Sequence, residues 1–386
     1  MANSGNIEIH GDCDPRFIHV RDALARNFTE HGEIGSAVAI YHEGEKVVDI
    51  WAGHMDGARS KPWQADTLCI MYSIAKSICA TAVHILADRG QIDLEAPVAA
   101  YWPEFAQAGK ENVLVRHIVS HNCGICFADA TEAGDVYDYD HMIAALEVQE
   151  PAWPAGSKGA YNTVNIGFLA GEVVRRVSGT PIREFVRENI CAPLGADYQI
   201  GVRPEDLGRV ADLQPNPAGS AMAAQAAAGE SPLARAWRPN PQPMNTEVQN
   251  SEQFRTVGIP SFGGFGEARA MARIYAMLAG GGIIDDSRIL SPEAVARATV
   301  TQWTEEADGM TGRPMRYAMG YAKNPPGATI MGPNANAFGH LGSGGARAIA
   351  DPDRNLALCF VSNLHSEGFA VGVRTESIVE AAFARL

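Results

Sequence analysis

Residues 67–90 read TLCIMYSIAKSICATAVHILADRG, and this stretch joins an extended run to a helix. The first five residues are mostly apolar and suit a short strand. Beyond them, apolar side chains recur at spacings of three and four, the period of a helix with one buried face: Ile74, Ile78, Ala82 and Ile85. Gly90 is a typical residue for the helix C-terminus. The stretch therefore predicts a strand followed by a buried helix, with Ser73 at the junction.

Strand patterns lie toward both ends of the chain. Residues 36–41 and 47–51 are β-branched and aromatic runs around a loop that contains glycine, which predicts an antiparallel hairpin. Residues 346–349 and 356–361 are also strand-like. Helical patterns are predicted at 15–31, 113–120, 166–177, 264–278 and from about 369. We therefore expect an α/β (α+β) fold, in which helices flank one antiparallel sheet made from both ends of the chain.

The length of 386 residues exceeds what one ordinary core needs, which favours two lobes. The predicted sheet-containing lobe comprises residues 1–85 and 261–386, and the inserted, mainly helical lobe comprises residues 86–260. Within the helical lobe, residues 205–260 are rich in Ala, Pro, Asn and Gln with little periodicity, which favours a long irregular surface excursion or lid. A ligand site is expected between the lobes.

The composition excludes several classes of partner. With 31 basic and 45 acidic residues, the net charge of -14 would repel a nucleic-acid backbone and an anionic membrane. The N-terminal residues lack the pattern of a signal peptide, and no run reaches the ~18 apolar residues of a membrane helix. Seven cysteines, an odd number, fit reduced thiols better than a disulfide framework. We expect a cytoplasmic protein without nucleic-acid or membrane partners; its oligomeric state stays open.

The junction also carries a possible nucleophile. Ser73 and Lys76 form a Ser-x-x-Lys pattern, whose spacing on a helix places the amine one turn from the hydroxyl. The N–H of Ser73 and the helix dipole would both face a carbonyl that approaches the hydroxyl, as half of an oxyanion hole. The alternative is that Ser73 only caps the helix and that Lys76 is solvated.

Two further elements could complete such a site. Tyr161, in GAYNT at 159–163, could move a proton, although a tyrosine before a helix is usually a packing residue. The glycine-dense run FGHLGSGGA at 338–346 leads into a predicted strand, where glycine permits close approach to a ligand. The N–H of Ser343 could then be the second oxyanion donor and His340 could line the pocket. A plain turn is the alternative for this run.

These three elements, in this order over about 270 residues, resemble the serine β-lactamase and penicillin-binding superfamily, specifically the class C-like branch that includes family VIII carboxylesterases. The resemblance implies that Ser73 is the nucleophile, that Lys76 is its neighbouring base, and that Tyr161 is the tyrosine of the second motif. Whether Lys76 or Tyr161 accepts the proton is left open. The remaining predicted substrate-binding residues are Tyr72, Thr163, His340 and Gly342.

Two departures from the family pattern bear on the substrate. Thr163 stands where the lactamase-like second motif has asparagine, and the third motif lacks its usual lysine, which would pair with a substrate carboxylate. A small-molecule ester without an obligatory carboxylate therefore fits better than a β-lactam or a peptide. The expected enzyme is a serine carboxylesterase that needs no cofactor and no metal. The alternatives are an acyltransferase, an amide or β-lactam hydrolase, and an inactive ligand-binding relative.

Other motifs are weaker. Cys123 and Cys126 form a single C-x-x-C without a second pair or a thioredoxin-like pattern, so a redox or metal role is disfavoured. His117 and His121 are four residues apart but lack the H-E-x-x-H pattern, which favours packing and capping. No G-x-S-x-G elbow is present, so the chain offers no nucleophile for an α/β-hydrolase triad.

Overall fold

The fold is described from a computed structural model, for residues 7–240, 242–368 and 372–384. Its strands are β1 (Ile9–Cys13), β2 (Gly35–His42), β3 (Glu45–Gly53), β4 (Cys69–Ile70), β5 (Tyr198–Ile200), β6 (Gly264–Gly266), β7 (Ile283–Ile284), β8 (Ser287–Arg288), β9 (Trp303–Glu305), β10 (Met315–Tyr317), β11 (Ala322–Lys323), β12 (Phe338–Leu341), β13 (Arg347–Asp351) and β14 (Leu356–Ser362).

Most helices lie between β4 and β9 in the chain. The helices are α1 (Ile18–Glu30), α2 (Ile74–Asp88), α3 (Val115–Val119), α4 (Tyr139–Val148), α5 (Asn165–Ser178), α6 (Ile182–Val186), α7 (Ala192–Leu194), α8 (Ala221–Ala226), α9 (Pro232–Ala236), α10 (Thr246–Gln249), α11 (Glu252–Val257), α12 (Ala268–Ala279), α13 (Pro292–Ala298) and α14 (Val373–Phe383). None of those in the described ranges is long and apolar enough to cross a membrane.

One antiparallel sheet of nine strands has the order β1-β3-β2-β14-β13-β12-β11-β10-β9. Strand β14 joins the two ends of the chain, because Ser36 pairs with Ser362 and Val38 pairs with Phe360. The side chains of β14 are buried on both faces, which explains its continuous apolar run rather than an alternating one. The predicted α/β architecture, an antiparallel sheet flanked by helices, is confirmed.

Helices cover both faces of this sheet. On one face, Leu24 of α1 and Ile378 of α14 share a core with Phe360 of β14. On the other face, Ile78 of α2 and Met271 of α12 belong to the larger core, which continues into the helical part of the chain. Helix α2 is buried along nearly its whole length, so its N-terminus is firmly placed against the sheet.

Residues 205–260 are more ordered than their composition indicates. Helices α8 to α11 lie in this segment, and Leu233, Trp237 and Phe254 are buried in the core. The segment thus has more regular structure than predicted, while its assignment as an excursion or lid stays a prediction. Each of these helices has only four to six residues, too few to show a helical period. The signal that could have found them is the N-cap residue that precedes each one: Ser220, Ser231, Asn245 and Ser251.

Other boundaries also differ. Residues 264–266 form β6 rather than the start of a helix, because their glycines let the Tyr198 ring pack against the backbone; α12 begins at Ala268. The sequence patterns did not indicate β9, β10 or β11, which have two or three residues each. The expected start of the last helix, near 369, lies outside the described residues, and α14 is described from Val373. All seven cysteines are free of disulfides, as predicted.

Candidate active site

Ser73 stands at the junction that the sequence predicts, as the N-cap residue of α2. Its side chain makes no capping hydrogen bond to the helix, and Lys76, one turn on, is only 1% exposed. The alternative of a simple helix cap beside a solvated lysine is therefore wrong. The serine hydroxyl is available for other contacts.

The Lys76 amine is in direct contact with that hydroxyl. Nζ lies 2.9 Å from Oγ of Ser73 and donates a hydrogen bond to the carbonyl oxygen of Ser261 at 2.8 Å. Burial lowers the pKa of Lys76 to about 7, and the nearby Cys79 opposes this shift only in part. A substantial fraction of the amine is then neutral near pH 7, with a lone pair that can accept the proton of Ser73.

Tyr161 is the second side chain beside Ser73. It lines the same cavity as Ser73, and Nζ of Lys76 lies 5.5 Å from the centre of its ring. Its backbone N–H donates to Oδ1 of Asp308, and its ring stacks on His121 with 4.9 Å between ring centres. Burial raises the pKa of Tyr161 above its usual value, with a smaller contribution from Asp308. The phenol therefore keeps its proton and is suited to donate it.

A histidine and an asparagine hold this tyrosine in place. The backbone N–H of Asn162 donates to Nδ1 of His121 at 2.9 Å, and the side-chain amide of Asn162 donates to the carbonyl oxygen of Ile125.

The second histidine of the pair, His117, accepts a hydrogen bond from the N–H of Leu114. The two histidines thus have the packing and capping roles that the sequence favours. Burial keeps both neutral, because it lowers the pKa of His117 to about 4 and that of His121 well below its usual value.

The glycine-dense run at 338–346 lies on the other side of the site from Tyr161. Residues 338–341 form strand β12 itself, and the loop after it carries Ser343. The N–H groups of Ser73 and Ser343 donate to no other group within the described part of the chain. His340 is buried, and burial together with the charge of Lys76 lowers its pKa to about 3. Its Nδ1 contacts the carbonyl oxygen of Leu341, while Nε2 has no partner in the described ranges.

A cavity of about 60 Å³ brings most of the predicted residues together. The predicted residues that line it are Ser73, Tyr161, Thr163, His340 and Ser343. Lys76 lies beside it, behind the serine hydroxyl. Apolar and aromatic residues complete the lining: Met222, Trp237, Met315, Tyr317 and Leu341. Sequence reasoning missed these five as site residues, because they belong to short elements or irregular segments in which an apolar residue has no distinctive spacing.

Two predicted substrate-binding residues do not line this cavity. The hydroxyl of Tyr72 is engaged by His365 and Gln249, and the residue is only 3% exposed. Gly342 is a turn residue, whose N–H donates to the carbonyl oxygen of Ala346 at 2.7 Å. Neither residue lines the cavity, so a role of either one in substrate binding stays a prediction.

This geometry can be compared with known proteins. A family model described as Beta-lactamase matches residues 21–383, nearly the whole chain. The chain belongs to the beta-lactamase family. The esterase/beta-lactamase LipL of Mycobacterium tuberculosis is 34% identical over 362 residues, which cover 92% of this chain and 83% of that protein. The predicted resemblance is thereby confirmed.

Solved structures agree with this family assignment. The crystal structure of a family VIII carboxylesterase superposes with a TM-score of 0.90 at 36% identity, over 98% of this chain and 100% of the other. A penicillin-binding protein homologue from Caulobacter crescentus superposes with a TM-score of 0.87, also at 36% identity and with the same coverage of both chains. The fold is β-lactamase/transpeptidase-like, and the relatives support an esterase/beta-lactamase-like serine hydrolase.

Proposed function

We propose that the protein hydrolyses carboxylic esters through an acyl-enzyme on Ser73. The observation that carries this proposal is the buried amine of Lys76, 2.9 Å from Oγ of Ser73, beside a cavity lined by groups without formal charge. A serine hydroxyl in contact with a buried, partly neutral amine is an activated nucleophile. The names of the relatives, which include an esterase and a carboxylesterase, support the same reaction class.

In the proposed acylation, Ser73 attacks the ester carbonyl while its proton passes to Lys76. The N–H groups of Ser73 and Ser343 stabilise the negative oxygen of the tetrahedral intermediate. Tyr161 then gives its proton to the leaving alcohol and regains one from the Lys76 ammonium. In deacylation, water attacks the acyl-enzyme, its proton passes to the same pair, and Ser73 leaves with its hydroxyl restored.

The lining of the cavity supports an ester without a carboxylate. None of the ten lining residues is a lysine, arginine or acid, and His340 is neutral because its pKa is about 3. A substrate carboxylate would lose its water without gaining a charged partner there, which is costly. Thr163 also has no side-chain amide to bind the amide of a β-lactam or peptide. These features favour small neutral esters over β-lactams.

The proposal is tested with purified protein on short-chain p-nitrophenyl esters and on nitrocefin, together with intact mass after exposure to a fluorophosphonate. We expect ester turnover, a single covalent adduct, weak nitrocefin cleavage, and no adduct in the Ser73→Ala variant. Rapid nitrocefin turnover would instead indicate a β-lactamase. Ester product formed with an added alcohol in preference to acid would indicate an acyltransferase, and no turnover with no adduct would indicate an inactive relative.

The pH dependence of ester hydrolysis is expected to follow the Lys76 amine. Because the base must be neutral, kcat/KM should fall about tenfold per pH unit below a midpoint near 7 and level off above it. Initial rates between pH 5 and 9, corrected with Ser73→Ala, measure this profile. A rate that stays constant between pH 5.5 and 8 would rule out an amine base with this pKa.

A further inference from the structure

Tyr72, the residue before the proposed nucleophile, has an unusual backbone conformation. Its φ is 48°, in the left-handed region that a residue with a large side chain adopts only when its surroundings enforce it. The carbonyl oxygen of Tyr72 accepts a hydrogen bond from the N–H of Ala75, at the start of α2. This conformation makes the sharp change of direction between β4 and α2, and it therefore sets where Ser73 lies.

Two distant segments hold the side chain of Tyr72. Its hydroxyl donates a hydrogen bond to Oε1 of Gln249 at 3.2 Å and lies 2.7 Å from Nε2 of His365. Both partners are themselves fixed: the Gln249 amide donates to the carbonyl oxygen of Pro243, and the carbonyl oxygen of His365 accepts from Arg374. Burial raises the pKa of Tyr72 well above its usual value, so the hydroxyl remains protonated. The ring is thus anchored at its far end.

The face of this anchored ring meets the loop that carries Ser343. A Cβ atom on Gly344 would lie 2.4 Å from Cε2 of Tyr72, so only glycine permits this close approach. On the other side of Ser343, a Cβ atom on Gly342 would lie 2.7 Å from the carbonyl oxygen of Met71. The backbone on both sides of Ser343 is therefore packed against residues 71–72. One rigid side chain links the positions of Ser73 and Ser343.

We propose that Tyr72 is a positioning residue, which fixes the separation between the N–H groups of Ser73 and Ser343. The inference rests on the proposed function, in which these two groups form the oxyanion hole. Tyr72 positions the N–H of Ser73 through the peptide bond that joins the two residues. It positions the N–H of Ser343 through its contact with Gly344. It does so without touching the substrate, which agrees with its absence from the lining of the cavity.

The test compares an ester with the matched thionoester, in which sulfur replaces the carbonyl oxygen. Sulfur is larger and a weaker acceptor, so a rigid oxyanion hole favours oxygen, and the ratio of the two rates reports on its geometry. In Tyr72→Phe, which loses both hydroxyl contacts, we expect ester kcat to fall about 10- to 100-fold, with KM changed less than about threefold. The thionoester rate should fall less, so the ratio should shrink. Gly344→Ala places a methyl group against the Tyr72 ring and displaces the loop that carries Ser343. We expect it also to lower ester kcat and to shrink the oxygen-to-sulfur ratio.

The matched control is Tyr321→Phe. This substitution removes a buried tyrosine hydroxyl whose oxygen lies 2.9 Å from the hydroxyl oxygen of Thr81. Thr81 is in α2, the helix that begins after Ser73. This variant should lose stability but keep the oxygen-to-sulfur ratio. If Tyr72→Phe does not fold, Gln249→Leu, which removes one partner of the hydroxyl, takes its place with the same expectation.

The outcomes separate the inference from the proposed function. If the unaltered protein hydrolyses esters and forms its adduct, but Tyr72→Phe and Gly344→Ala fold and keep the oxygen-to-sulfur ratio, Tyr72 has only a structural role and the inference is overturned. The same holds if Tyr321→Phe shifts the ratio equally. If the unaltered protein shows neither turnover nor adduct, the proposed function itself has failed.

Discussion

Replacing Lys76 with methionine is expected to slow acylation of Ser73 by about 10²- to 10⁴-fold, the usual contribution of a general base. Methionine is close in length to lysine and is apolar, so it fits the buried position while removing the lone pair that accepts the serine proton. The rate of adduct formation with a fluorophosphonate, followed by intact mass, measures acylation directly. Steady-state turnover of a p-nitrophenyl ester should fall in parallel.

Lys110 offers a matched control for this substitution. Its amine is also buried, but it donates to the carbonyl oxygens of Glu147 and Gln149, and the residue does not line the cavity. Lys110→Met should therefore lower stability and leave the acylation rate nearly unchanged. Full ester turnover by Lys76→Met would refute the assignment of the base. A loss in Tyr161→Phe alone would transfer the role of base to the tyrosine.

Replacing Arg374 with methionine is expected to lower the free energy of unfolding by about 3–5 kcal/mol, as when one partner of a buried ion pair is removed. Arg374 is 5% exposed and donates to Oε1 of Glu33, itself 1% exposed, at 2.9 Å. Its guanidinium also donates to the carbonyl oxygens of Leu364 and His365. The substitution strands a buried carboxylate and frees the end of β14. Urea unfolding followed by circular dichroism measures the loss.

The double variant Glu33→Gln with Arg374→Met is the control, because it removes the stranded charge and should recover part of the loss. The pH dependence gives a second check. Burial already raises the pKa of Glu33, and the loss of Arg374 removes a group that lowers it. A carboxyl with a raised pKa costs stability as the pH rises through that value, so the loss should be smaller at pH 5 than at pH 8. An equal loss of stability at pH 5 and at pH 8 would show that ionisation of Glu33 is not the cause.

The part of the site that sequence could reveal is the part that has a fixed spacing. Ser73 and Lys76 lie one helical turn apart, so their contact follows from the helix, and the helix follows from the apolar period after Ile74. The hairpin of β2 and β3 and the pairing of β13 with β14 have equally regular patterns. The family resemblance then added Tyr161 and the loop around Ser343, which no local rule would bring to Ser73.

The rest depends on contacts between distant residues. The carbonyl oxygen of Ser261 that holds Lys76 is a backbone group, which no side-chain pattern marks. Met222 lies in α8 and Trp237 directly follows α9, and both helices are too short for a helical period to appear in the sequence. Tyr72 was expected to bind substrate; its backbone is left-handed, and its hydroxyl lies 2.7 Å from His365, a residue 293 positions away. Such placements depend on tertiary structure.

The central pairing of β2 with β14 also sets an order of events during synthesis. Ser36 and its partner Ser362 are separated by more than 300 residues, so at about 5–20 residues per second the first hairpin waits roughly 16 to 65 seconds for its neighbour. Throughout that time β2 presents an open strand edge, and the helical segment emerges before the sheet can close. We therefore expect folding of the nascent chain to be completed only after β14 has left the ribosome and paired with β2.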